Sequence, residues 1–109
     1  MIREFIRTAI FEEDWKNIGL NDDDLRLLEQ VLLDNPKAGD VIPGLSGGRK
    51  LCFALEGCGK SGGARVVYVD VVVRECIYLL LAYPKSAQAD LTPEQKRGLN
   101  KIITQFKGE

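Results

Sequence analysis

Between Gly47 and Arg65 the chain reads GGRKLCFALEGCGKSGGAR, which sets Arg49, Lys50, Lys60 and Arg65 against one anion, Glu56. Guanidinium and ammonium groups beside glycine-rich backbone suit phosphate, because they neutralise its charge where the chain can approach closely. The same charges would also serve a solvated surface hairpin. Net charge conceals the cluster: the 109 residues sum to −1, while residues 1–46 hold five cations against ten anions. There is no histidine, so the usual proton shuttle near neutral pH is missing. Acid–base chemistry must then run on Lys, Tyr, Cys, Asp or Glu. Tyr83 and Lys85 stand at the end of an apolar run that starts at Ile77. Each has a plainer reading, as a core tyrosine with a wet hydroxyl and as a loop lysine. Arg65 likewise could be an edge arginine paired with Asp70 or Glu56.

Other chemistries find less support. Ala54 to Ser61, ALEGCGKS, fits a relaxed phosphate-loop pattern with Ala at the first glycine position. In a phosphate loop the Lys-Ser opens a helix whose amides hold the phosphates, whereas here Gly62, Gly63 and a valine-rich strand follow. The acidic residues cluster in the N-terminal part, and Asp22, Asp23 and Asp24 read as a helix start rather than a metal site. Cys58, between glycines and two residues before Lys60, is the one candidate thiol nucleophile, and a plain loop cysteine is its alternative. Cys52, Cys58 and Cys76 form no CxxC pair, which argues against a disulfide framework or zinc and for a reducing cytoplasm. No apolar run reaches transmembrane length, and the N-terminus lacks the pattern of a signal peptide.

These residues need elements to position them, and 109 residues suffice for a single domain, 1–109, with one modest core. A short strand is expected over Ile2 to Ile6 and a short helix over Phe11 to Ile18. Asn21 is placed to cap a second helix, with Leu25, Leu28 and Leu32 at helical spacing and Asn35-Pro36 ending it. The period then changes. Lys50 to Leu55, Ala64 to Val73 and Ile77 to Tyr83 read as strands, with a glycine-rich hairpin over Glu56 to Gly63. Strict alternation puts Arg65, Val67, Val69 and Val71 on one strand face, and Tyr83 on a face with Ile77, Leu79 and Leu81. The run from Ile77 is apolar on both faces and should be central. Thr92, Pro93 and Gln95 mark the start of a last helix, whose apolar stripe is Leu99, Ile102, Ile103 and Phe106. The order βααβββα predicts an α+β domain, a small antiparallel sheet packed with helices.

Three segments together, NPKAGDVIPGLSGGRKL, GKSGGARVVY and IYLLLAYPKSAQADLTPEQ, resemble the HigB-like branch of the RelE/ParE toxin superfamily. These are toxins of bacterial type II toxin–antitoxin modules, and the likeness runs from about Asn35 to the C-terminus. The resemblance implies a RelE-like fold and an endoribonuclease, an mRNA interferase that cleaves mRNA in the ribosomal A site with no metal or other cofactor. The 2′-hydroxyl attacks the adjacent phosphate, leaving a cyclic phosphate and a free 5′-hydroxyl. By matched position, Lys60 and Arg65 would stabilise the phosphate, Tyr83 and Lys85 would transfer or position protons, and Arg49 and Lys50 would hold RNA backbone. The implied partners are a cognate helix-turn-helix antitoxin, the ribosome and mRNA, with no membrane. Cys52 and Cys58 stand where such toxins commonly carry cations, and Gly48 where they commonly carry a bulky apolar residue.

Two further functions share this fold superfamily, and fold cannot choose among them. One is a degenerate, non-catalytic toxin homologue acting in an antitoxin-bound transcriptional regulatory complex, which the overall acidic balance favours. The other is ParE-like inhibition of DNA gyrase, against which the GKSGGAR loop and basic strand end speak.

Overall fold

The computed structural model describes residues 3–53, 63–88 and 90–108. Their elements run β1 (Glu4–Arg7), α1 (Ala9–Ile18), α2 (Asp22–Asp34), β2 (Asp40–Val41), β3 (Arg49–Phe53), β4 (Ala64–Val71), a 3-10 turn (Val72–Arg74), β5 (Cys76–Pro84) and α3 (Pro93–Phe106). Short polar side chains set the helix starts. Thr8 Oγ1 accepts from Phe11 N–H, and Asn21 with Asp24 and Thr92 with Gln95 each close a reciprocal capping box. Asp22, Asp23 and Asp24 fill the first turn of α2, where the helix dipole favours negative charge.

The sheet order is β1-β5-β4-β3-β2. Two features differ from the expected antiparallel βααβββα arrangement. A two-residue strand, β2, pairs with β3, and it is too short to show as alternation. β1 lies parallel to β5, from Glu4 opposite Cys76 to Arg7 opposite Leu79, so the sheet is mixed. The opening strand is thereby inserted beside the apolar run that was expected to be central, and β5 is paired on both sides. The expected hairpin over Glu56 to Gly63 lies, except for Gly63, outside the described residues.

Helices cover both faces. Phe11 and Trp15 of α1 and Leu25, Leu28 and Leu32 of α2 pack on Leu51, Phe53, Val66, Tyr68, Ile77 and Leu79. Leu99 and Ile103 of α3 pack on the opposite face, against Val67, Val69, Tyr78 and Leu80, and Phe106 stacks on Tyr78 with ring centres 3.9 Å apart. Burying apolar side chains on both faces is what makes β4 and β5 read as nearly continuous hydrophobic runs. Within the turn that leads into β3, a Cβ at Gly48 would lie 2.6 Å from Leu45 Cδ2, and Leu45 is fully buried. A bulky side chain at Gly48 would displace that leucine.

β1 ends opposite Leu79, and the edge of β5 beyond it is closed by side chains instead. Thr8 Oγ1 donates to Leu80 O at 2.7 Å, and the Asp14 carboxylate accepts from Ala82 N–H at 3.1 Å. Burial pushes the Asp14 carboxyl up, although the Ala82 bond holds it down. A raised folded-state pKa means the folded protein binds the proton more tightly than the unfolded chain. Stability from this group therefore falls as pH rises from the ordinary carboxylate range through the raised value. Asp14→Asn keeps an acceptor for Ala82 and sheds the charge, so it should unfold at an equal or higher temperature at pH 7. Asp14→Leu strands the amide and should cost about 1–3 kcal/mol. Thermal unfolding of both variants checks this, and equal losses in both would be the contrary result.

Candidate functional site

Tyr83 reaches the site through an irregularity in β5. Val67 of β4 pairs with Leu81 and Tyr68 pairs with Leu79, so Leu80 is an extra residue on β5, a β-bulge. Before the bulge Cys76, Tyr78 and Leu80 face α3 while Ile77 and Leu79 face α1 and α2. After it Leu81 and Tyr83 face α3 and Ala82 faces away. The expected grouping of Tyr83 with Ile77 and Leu79 is thus corrected: one inserted residue reverses the alternation, and of that group only Leu81 stays with Tyr83.

The consequence is a cross-strand row. Cys52 of β3 lies opposite Arg65 of β4, and Arg65 lies opposite Tyr83 of β5. On the next rung Lys50 lies opposite Val67, on the same face. Side chains at directly opposed positions stand close enough to act on one ligand. Arg65 Nη1 contacts Cys52 Sγ, while Arg65 Nε and the Tyr83 hydroxyl are buried and have no hydrogen-bond partner among the described residues. The Asp70 considered as a partner for Arg65 instead binds Arg3, at 2.8 Å. Tyr83 is 6 % exposed, and burial pushes its phenol pKa up despite the opposing pull of Lys50 and Arg65. At neutral pH it therefore carries its proton and can donate it.

Lys50 Nζ meets the Asp90 carboxylate at 2.7 Å. That bond raises the pKa of the lysine and lowers that of the aspartate. Asp90 precedes α3, and Gln88 Nε2 steadies it by donating to Asp90 O at 2.9 Å and to Gln95 Oε1 at 3.0 Å. Asp90 and Gln88 were not singled out in the sequence, where nothing distinguishes them from ordinary loop residues.

The structure brings together Lys50, Arg65 and Tyr83 and separates Arg49 from them. Arg49 lies opposite Tyr68 on the α1 and α2 face and donates from Nη1 to Gly39 O at 2.8 Å. Arg49 and Lys50, both expected to hold RNA backbone, are turned to opposite faces of the sheet by the alternation of β3. Lys85 is exposed just past β5, and its N–H donates to Gly63 O at 3.0 Å, across the base of the hairpin. Lys60, Cys58, Glu56 and the ALEGCGKS motif lie outside the described residues. Among the described residues no three of His, Cys, Asp and Glu are grouped so as to hold a metal ion. None of the described helices is long and apolar enough to cross a membrane.

Two cations and a neutral phenol converging on one sheet face can bind a phosphodiester, offset charge on its non-bridging oxygens and supply a proton.

No family model matches the chain. Among solved structures it is similar to an arginine double mutant of the E. coli toxin RelE in the free state, with a TM-score of 0.62 and 17% identity. That match covers 94% of this chain and 99% of the other. It is also similar to the intact E. coli RelBE toxin–antitoxin complex, with a TM-score of 0.54 and 15% identity, covering 74% of this chain and 94% of the other. At these identities the likeness is one of fold, and the fold is RelE-like.

Proposed function

We propose that this chain is a RelE/ParE-superfamily toxin of the HigB-like branch, acting in the cytoplasm as a ribosome-dependent mRNA endoribonuclease held in check by a cognate antitoxin. The observation that carries the reading is the Arg65–Tyr83 cross-strand pair on a RelE-like fold, with a buried hydroxyl and a guanidinium nitrogen unpaired among the described residues. The RelBE complex among the structural neighbours supports an antitoxin partner.

In this mechanism the 2′-oxygen of one nucleotide forms a bond to phosphorus as the bond to the 5′-oxygen of the next breaks. The products are a 2′,3′-cyclic phosphate and a 5′-hydroxyl. Arg65 offsets charge on the phosphorane-like transition state, and Lys60 is assigned the same task from the adjoining loop. Tyr83, kept neutral by burial, gives its proton to the departing 5′-oxygen. Lys50 holds the RNA backbone, Lys85, past the end of β5, assists in positioning, and the 2′ proton passes to solvent water. Arg49 is left out of the RNA-binding set because it faces the other side of the sheet.

A non-catalytic toxin homologue is the second reading, favoured by Asp90 engaging Lys50 and by Cys52 where a cation would serve RNA better. Inducing the protein in bacteria and mapping mRNA ends on ribosomes separates the two. New 5′-hydroxyl ends within A-site codons, suppressed by co-expressed antitoxin, are expected. Intact messages at full induction would leave the non-catalytic reading standing alone.

A further inference from the structure

Next to the Arg65–Tyr83 row lies a cavity of about 280 Å³ between β2 and the start of α3, with Lys50, Lys96 and Asp90 in its wall. Asp40, the cross-strand neighbour of Lys50, lines it as well. The cavity holds the strongest ion pair of the site face, yet its two halves differ in exposure. The Lys50 side chain is 21% exposed, whereas that of Asp90 is 75% exposed. The lysine is fixed on a central rung of the sheet; the carboxylate stands on a loop and is free to swing into water. Lys96 and Arg65 also draw on the Asp90 charge. An internal carboxylate thus sits where three cations converge, the position a phosphate oxygen would take.

We infer that the Lys50–Asp90 pair is the closed form of a second phosphate subsite, which takes the backbone phosphodiester next to the scissile one. On this view, which rests on the reading of the protein as an RNA-cleaving toxin, Asp90 occupies Lys50 in the free protein. The incoming phosphate displaces it, and Lys96 closes the far side of the subsite. An exposed carboxylate is a suitable gate because such pairs shift an equilibrium by no more than about fivefold, so a polyanion can open them. A small anion of single charge competes poorly with a carboxylate that is already tethered. Asp90 is accordingly a positioning residue, setting how much backbone the site demands before Lys50 is released.

The test uses the full chain and ribosomes programmed with a message whose A-site codon is 2′-O-methylated and cannot be cleaved. D90N should bind these ribosomes about three- to fivefold more tightly than the parent. It should also steepen the log–log salt dependence by about 0.7, the value for one more single-strand phosphate contact. D23N removes the same charge from the exposed first turn of α2, remote from the cavity, and should change affinity less than about twofold. K50M added to D90N should cancel the gain. No gain in D90N, or an equal gain in D23N, overturns the subsite. If Arg65→Ala weakens binding while D90N matches the parent, only this inference fails. If neither Arg65→Ala nor D90N alters binding, the RNA-cleaving assignment fails with it.

Discussion

Tyr83→Phe should lower mRNA cleavage on programmed ribosomes by about a hundredfold or more while leaving the folded protein intact, since losing one proton donor or transition-state contact typically costs about 3–4 kcal/mol in the barrier. The fold should survive because the hydroxyl has no hydrogen-bond partner among the described residues, so removing it strands no donor or acceptor. The ring, 6 % exposed and packed with Leu81 in the α3-side core, remains. Arg65→Ala should give a loss of at least the same size, with a change in ribosome affinity that Tyr83→Phe lacks, because the guanidinium binds ground and transition states alike. Single-turnover cleavage and thermal unfolding are the two measurements. Full cleavage in Tyr83→Phe, with unfolding unchanged, would remove the phenol from the mechanism.

The largest stability effects should come from the junction that holds β2 and the chain before it against β3. Tyr68 is fully buried; its hydroxyl donates to Pro36 O at 2.7 Å and accepts from Gly39 N–H at 3.0 Å. Arg49 completes the clamp by donating to Gly39 O. Tyr68→Phe leaves an acceptor and a donor without their partner and should cost about 1–3 kcal/mol, as buried unsatisfied groups do. Gly39→Ala should cost as much by another route. Its Cβ would stand 2.8 Å from Lys50 O and 2.9 Å from Tyr68 Cε1, and the first neighbour is strand backbone that cannot yield cheaply. Overpacking of this kind costs about 1–3 kcal/mol. Denaturant midpoints of the single and double variants measure both, and non-additive losses are expected because the two positions share one contact. A Gly39→Ala protein as stable as the parent would refute the close packing.

What the sequence disclosed was whatever local chemistry decides. Asn21, Thr92, Pro93 and Gln95 marked two helix starts because a cap acts within four residues of itself. Apolar runs, rich in valine in β4 and in leucine in β5, marked those strands because both faces are buried. The α+β class, and a RelE-like fold, followed from those elements and from the quoted segments. Three things needed the folded chain. β1 pairs with β5 across 72 positions of sequence, from Glu4 to Cys76, and nothing in EFIR says whether that pairing is parallel. Asp90 finds Lys50 forty positions away, which no local pattern signals. Leu80 bulges, and a leucine among leucines carries no mark of it. Arg49 was legible in principle: alternation with buried Leu51 and Phe53 puts it on their face, the α1 and α2 side, by the same reasoning that sends Cys52 to the other.

The extra residue at Leu80 is a joint at which β5 can change length by one. Because Leu80 is the one unpaired position, deleting it would close the bulge and leave the other cross-strand pairs as they are. Tyr83 would stay opposite Arg65, whereas one residue added between Leu81 and Tyr83 would carry the phenol through the sheet to the side of Tyr68. The strand can therefore lose one residue at the bulge with its catalytic pair intact, and it is intolerant of a single-residue change between the bulge and Tyr83. Over evolutionary time, single-residue length changes are expected at the bulge wherever activity is kept, and between the bulge and Tyr83 only in lineages that have given up cleavage.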